Sequence, residues 1–166
     1  TELSAIGLRL RERRMKRGAL DLDVAETKAT VDAEGNPLTV ARRARLGTME
    51  LIEEFMLLAN LLVGEEGERR DGPFLFRVHP PPSLSKLAAL EAMLAALGLP
   101  RLDGSGGVAE ALQRLLSTAL APEKRRIVHT LVLRTLARAS YAESDAGHCG
   151  LAARGDCHVT SPIRRY

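Results

Sequence analysis

The stretch Thr48 to Val63, TMELIEEFMLLANLLV, constrains the fold of this chain more than any other. On a helix, Leu51, Ile52, Phe55, Met56, Leu58, Leu61 and Leu62 cover most of the circumference, and a helix apolar nearly all round belongs in an interior. The rest of the chain is therefore expected to cover it. Glu53 and Glu54 interrupt the run. A carboxylate in such surroundings is costly unless paired, so one of the two is expected to line a polar cavity while the other faces solvent; a plain exposed stripe is the alternative. Asn60 follows six residues after Glu54.

At 166 residues and 18.0 kDa the chain is one domain's worth of protein, long enough to bury a core. Aromatics make up only 3% and tryptophan is absent, so the core must come from Leu, Ala, Val and Ile, which favours helices. A net charge of +3 does not by itself announce a polyanion partner. Lysine accounts for only four of the 24 basic residues (Lys16, Lys28, Lys86 and Lys124). The excess of arginine fits phosphate recognition, and equally a GC-rich genome. Two cysteines, the absence of a secretory leader and the lack of an apolar run of about eighteen residues point to a reducing compartment without a membrane span, with cytoplasm as the default.

Along the chain, TELSAIGLRLRERRMKR predicts an amphipathic helix over 1–17, with Leu3, Ile6, Leu10 and Met15 towards one side, arginines on the others and Gly18 as the stop. Leu20, Leu22 and Val24 alternate with polar residues up to the turn signal AEGN at 33–36, which predicts a β-hairpin whose second strand is limited at its start by Pro37. After Val63, GEEGERRDG reads as a loop. Pro73 to His79 reads as extended, and the prolines at 80–82 follow. Ser83 caps a helix that Gly98 closes, RLDGSGG is a loop, and two more helices run from Val108 to about Leu120 and, opened by Pro122, from Glu123 to about Tyr141. The predicted class is α+β, mainly helical with a β-hairpin.

Three constellations could carry chemistry. In TSPIRRY, Thr160 or Ser161 can cap a helix, Pro162 suits its first position, and the amides of that first turn would face an anion. Arg164 and Arg165 diverge by about 100°, so at most one reaches inward; the alternative is a solvated basic helix end. The Glu53, Glu54 and Asn60 set is the second. The third, His148, Cys149, Cys157 and His158, has adjacent pairs whose side chains diverge, which argues against zinc and for buried or hydrogen-bonding histidines. His79 and His129 read as structural. GSGG at 104–107 lacks the lysine of a phosphate loop, and no tight aspartate cluster of the kind two-metal phosphoryl chemistry needs is present.

In order, RRMKRGALDLDVAE, IEEFMLLAN, FRVHPPPSLSKL, LGLP, LVLRTLARASY, GHCGLA and HVTSPIRRY resemble the second half of the catalytic (RNB) domain of the ribonuclease II and ribonuclease R family. This resemblance covers essentially the whole chain. It implies a processive 3′ to 5′ exoribonuclease that hydrolyses single-stranded RNA with Mg2+ and releases nucleoside 5′-monophosphates. It further implies that residues 1–166 are part of a larger catalytic domain, whose remainder is a partner of this segment and carries the metal-binding aspartates. The segment alone is then expected to be inactive.

By position, Arg164 resembles the catalytic arginine that holds the reacting phosphate, with Arg165 and Ser161 of the same signature as substrate contacts. Glu54 resembles the glutamate that contacts the last nucleotides at the 3′ end. Leu22 falls where several relatives place an aromatic that clamps the terminal base, and leucine cannot stack in that way. Asp156 and Val159 stand where relatives often have Tyr and Phe. A non-catalytic RNA-binding module or a helical protein-interaction module, the latter with an exposed Leu and Ala stripe on 83–97, are the alternatives.

Overall fold

The computed structural model describes residues 2–22, 27–42, 46–70 and 72–160. Helix α1 (Glu2–Lys16) begins with an acidic residue and ends with Arg13, Arg14 and Lys16, charges that suit the two ends of its dipole. Its packed face is not the predicted one. Leu3 and Ile6 are exposed, whereas Gly7 and Arg14 are buried, because α1 lies so close to the next helix that a Cβ on Gly7 would stand 2.6 Å from Leu51 Cδ1.

The predicted hairpin forms from β1 (Thr27–Val31) and β2 (Pro37–Arg42), antiparallel, with Ala29 opposite Val40 and an irregularity at Thr30/Val31. Its turn is held by Asp32, whose carboxylate accepts from the amides of Glu34 and Asn36. The alternation at Leu20 and Leu22 is not strand. Leu20 belongs to the buried core, its amide bonded to the Gly150 carbonyl, and Leu22 packs against that core; Val24 lies outside the described residues.

Helix α2 (Gly47–Arg69) departs from the prediction twice. It continues through the segment read as a loop, because Gly64 and Gly67 serve close approach rather than a turn, and Glu66 pairs with Arg69 and Arg70 to close its last turn. Nor is it buried all round. Among the described residues α1 covers its first half and residues 155–160 its second, leaving Ile52 and Leu62 exposed; the buried positions are Glu54, Asn60, Gly64 and Gly67.

The apolar core lies elsewhere, among α3 (Leu84–Ala96), α4 (Val108–Ser117) and α5 (Pro122–Thr135), where Leu90, Leu94, Leu112, Val128 and Val132 are almost wholly enclosed. Ser83 caps α3 by accepting from the Lys86 amide, and Gly98 follows it in the left-handed region (φ 70°), both as expected. Helix α4 stops at Ser117, short of Leu120. The last helix stops at Thr135, short of Tyr141, because Leu136 turns inward and the carbonyls of Leu136 and Ala137 are taken by Lys86 Nζ and His79 Nε2. Residues beyond it then form β4 (Ser140–Ala142), antiparallel to β3 (Phe76–Val78) with Arg77 opposite Tyr141. No helix among the described residues is long and apolar enough to cross a membrane.

A Cβ on Gly64 would sit 1.5 Å from the Gly155 carbonyl oxygen, and one on Gly67 2.5 Å from the Phe74 ring. The first obstacle is backbone and the second a half-buried side chain that can turn. Gly64→Ala should therefore cost at least about 3 kcal/mol and Gly67→Ala about 1 kcal/mol, read from denaturant midpoints. Equal losses would mean that residues 155–160 do not clasp α2 as described.

Candidate active-site groove

Helices α1 and α2 enclose a groove of about 480 Å³ between Leu10, Leu57, Leu58 and Leu61 on the apolar side and Arg13, Arg14, Lys16, Arg17 and Glu54 on the polar side. Its floor is an ion pair. Arg14 Nε donates to both Glu54 oxygens at 3.1 and 3.2 Å, and Nη2 donates to Oε1. Both side chains are at least nine-tenths enclosed, while Glu53 is exposed, so the division of labour expected of the two glutamates holds. Three cations along an apolar wall are the arrangement a single nucleic acid strand can use: phosphates meet the charges and sugars or bases lie on the leucines.

On another face of α2, residues 155–160 run alongside. Cys157 Sγ donates to the Asn60 carbonyl at 3.0 Å, and Asn60 Oδ1 accepts from the Thr160 amide at 3.0 Å and the Thr160 hydroxyl at 2.8 Å. Thr160 is the last described residue. Ser161, Arg164 and Arg165, expected in the site, lie outside the described residues. Leu22 is not brought to the groove; it packs against the α3–α5 core.

A polar cluster supports this segment from below. Arg77 Nη1 lies 3.0 Å from His148 Nε2 and donates to Asp156 Oδ2 at 3.3 Å. Burial, the Arg77 charge and neighbouring His79 push the His148 pKa down to about 3, so the ring is neutral. Burial pushes the Asp156 carboxyl up, against the pull of Arg77. An almost fully enclosed carboxyl thus stands against an arginine. The loop that holds these groups is tied by Asp145, which accepts from the amides of Gly147 and Gly155 and from Arg154.

The histidines act as hydrogen-bonding groups: His79 Nε2 pairs with the Ala137 carbonyl at 2.8 Å, and His158 Nδ1 with the Tyr141 hydroxyl at 2.5 Å. Burial raises both cysteine thiols above their usual range, which leaves them poor nucleophiles. The GSGG segment is a turn ending at the cap of α4, with Ser105 bonded to Asp103. Sequence reasoning missed Arg14 as the partner of Glu54 and Thr160 as the partner of Asn60. The signal for the first was there, since a buried glutamate needs a cation; nothing in the spacing selected this arginine from the five in α1 and its flank.

A family model described as RNB domain matches residues 1–166. Ribonuclease R of Thermotoga maritima is 38% identical over 158 residues, which cover 95% of this chain and 22% of that protein. Ribonuclease R of Escherichia coli is 33% identical over 153 residues, 92% of this chain and 19% of that protein. In solved structures, the apo form of Mycoplasma genitalium RNase R superposes with a TM-score of 0.88 at 27% identity, covering 99% of this chain and 26% of that one. The same protein in complex with ribose methylated single-stranded RNA matches equally, with the same TM-score, identity and coverage. This chain spans about a fifth of the length of the curated relatives it matches.

Removing one member of a buried ion pair strands the other charge, so Arg14→Ala should cost about 3–5 kcal/mol, and the double change Arg14→Met with Glu54→Leu markedly less. Chemical denaturation of the two variants decides this; a double variant as unstable as the single would refute it. His148 gives a pH signature. Its pKa is about 3 when folded against 6.5 for the ordinary group, so below pH 6.5 the unfolded chain takes up a proton that the folded one does not. The stability held by the neutral ring is complete above pH 6.5 and is lost as pH falls towards 3. Between pH 7 and 4.5, His148→Gln should lose less stability than the parent, and parallel curves would count against the assignment.

Proposed function

This chain belongs to the RNB domain family, and we propose that the protein carrying it is a hydrolytic 3′ to 5′ exoribonuclease that degrades single-stranded RNA to nucleoside 5′-monophosphates. What supports this most is the basic-edged groove at Arg14 and Glu54, built on the same helix that holds the polypeptide leading to Arg164. The RNA-bound RNase R structures similar to this chain bear on the substrate class. In this reading the segment is part of a larger RNB catalytic domain, and the rest of that domain is its partner.

The roles follow from chemistry. Arg164 is the catalytic arginine, its guanidinium fork matching the oxygens of the reacting phosphate and stabilising the charge that grows there. Arg165 and Ser161 contact the neighbouring phosphate and ribose oxygens. Glu54, already oriented by Arg14, accepts hydroxyl donors from the terminal nucleotides. Leu22, packed against the α3–α5 core and away from the groove, has no RNA contact in this reading and no stacking surface to offer one.

Magnesium is proposed for the whole protein from its family. Among the described residues no group of three or more His, Cys, Asp or Glu could hold a metal ion, so the roles above are those of this chain's own side chains. The cytoplasm is the proposed location.

The test is release of nucleoside 5′-monophosphates from a uniformly labelled single-stranded RNA, by the protein that carries this chain. Arg164→Ala should lower kcat by about 10²–10³-fold, the scale of losing a transition-state charge contact, and chelation of divalent cations should stop release. Salt-dependent RNA binding without release would replace the enzyme by a binding module.

A further inference from the structure

The hairpin of β1 and β2 has two unlike faces. Thr30 stands opposite Thr39 and their hydroxyls meet at 2.5 Å, so these two residues mark one face of the ribbon. Side chains alternate along a strand, and Ala29 and Val31 on β1 therefore share the other face with Leu38 and Val40 on β2, Ala29 directly opposite Val40. That second face is wholly apolar. Among the described residues nothing covers it: Val31 is 57% exposed, Leu38 65% and Val40 68%. Aliphatic side chains held together in this way form a patch, which scattered exposed leucines do not.

The ribbon is otherwise closely specified. Asp32 accepts from the amides of Glu34 and Asn36 and from the Asn36 side chain at 3.1 Å, and Gly35 takes the positive φ of 87° that the turn requires. A strand pair with a definite turn, a definite register and apolar residues sorted to one side is made to lay that side on an apolar surface. It does not do so within this segment, since among the described residues β1 and β2 pair only with each other, and a two-stranded hairpin alone is marginal in water.

The chemistry of the face selects its occupant. It carries no charge and no ring, and aliphatic side chains neither neutralise phosphates nor stack on bases, so RNA does not fit it. An apolar protein surface does. This chain spans about a fifth of the length of the ribonuclease R proteins it matches. In a protein of that kind most of the polypeptide lies outside the segment yet is tethered to it, at an effective concentration that a separate partner does not reach.

We infer that the face of Ala29, Val31, Leu38 and Val40 is the seat of an apolar surface belonging to the remainder of the same polypeptide, outside residues 1–166. The inference rests on the part of the reading above that makes this chain one segment of a larger RNB domain, and on nothing about hydrolysis. The ribbon lies in sequence between α1 and α2, the two walls of the groove, so this contact joins the connection between those walls to the rest of the domain.

Single cysteines in the complete protein report the cover. Val40→Cys should react with a maleimide at least about tenfold more slowly in the folded protein than in denaturant, whereas Thr39→Cys, on the opposite face, should change less. The parent protein labelled in parallel accounts for Cys149 and Cys157. Should Val40→Cys not fold, Leu38→Cys gives the same reading from the same face. Folded Val40→Cys reacting as fast as the unfolded chain, or no more slowly than Thr39→Cys, would overturn the inference. Protection that appears only when single-stranded RNA is added, or that grows with protein concentration, would give the face to RNA or to a second copy and overturn it likewise. Protection at Val40 in a protein that hydrolyses no RNA would leave the inference standing and remove the proposed activity; an unprotected Val40→Cys in an active enzyme would do the reverse.

Discussion

A carboxylate sits inside a helix otherwise rich in leucine, methionine and phenylalanine, and the guanidinium of Arg14 is what makes that possible. Without a cation Glu54 would be a buried charge with no partner, and α1 would have no reason to bring an arginine rather than its leucines against α2. The pairing thus decides which face of α1 packs. It leaves Leu3 and Ile6 outward and turns Arg13, Lys16 and Arg17 along the edge of the groove, so one buried charge pair arranges a whole row of exposed ones.

Packing of α2 against its neighbours depends on small residues as much as on apolar ones. Gly7 admits Leu51, Gly64 admits the Gly155 carbonyl and Gly67 admits the Phe74 ring. Large side chains fill the separate core of α3, α4 and α5, where nothing but leucine and valine is needed. The molecule therefore has a well-filled apolar cluster for stability and, beside it, a helix whose buried positions are glycines and polar groups. Buried polar groups need fixed partners, so that second region is the more exacting in geometry.

How much of this was legible depended on the range of the interaction. The Ser83 cap, the Pro122 start and the turn after Asp32 are written in residues two or three apart, and all form as the sequence implies. The family was readable as well, from ordered blocks ending in TSPIRRY. Glycine was misread in GEEGER, because a glycine that ends a helix and one that lets a neighbour approach look alike until the neighbour is known. Likewise the second strand pair was missed, since Ser140–Ala142 has meaning only opposite Phe76–Val78, more than sixty residues earlier. In the site, Glu54 was recognisable from its surroundings. Arg14 lay forty residues away among similar arginines, and Leu22, chosen by position in a motif, went to the core because a leucine gains more there than beside a charged groove.

The Asn60 and Thr160 contact joins residues one hundred apart in sequence. Closing a loop of that length has an entropic cost that neither hydrogen bond can meet before the helices between them have formed and docked. In folding kinetics this contact belongs to the late events, after the local caps and the α3–α5 cluster. The segment that leads to the arginines is thus ordered only in molecules whose remaining structure is already complete, and a partly folded chain would hold its basic residues without the spacing that gives them a use.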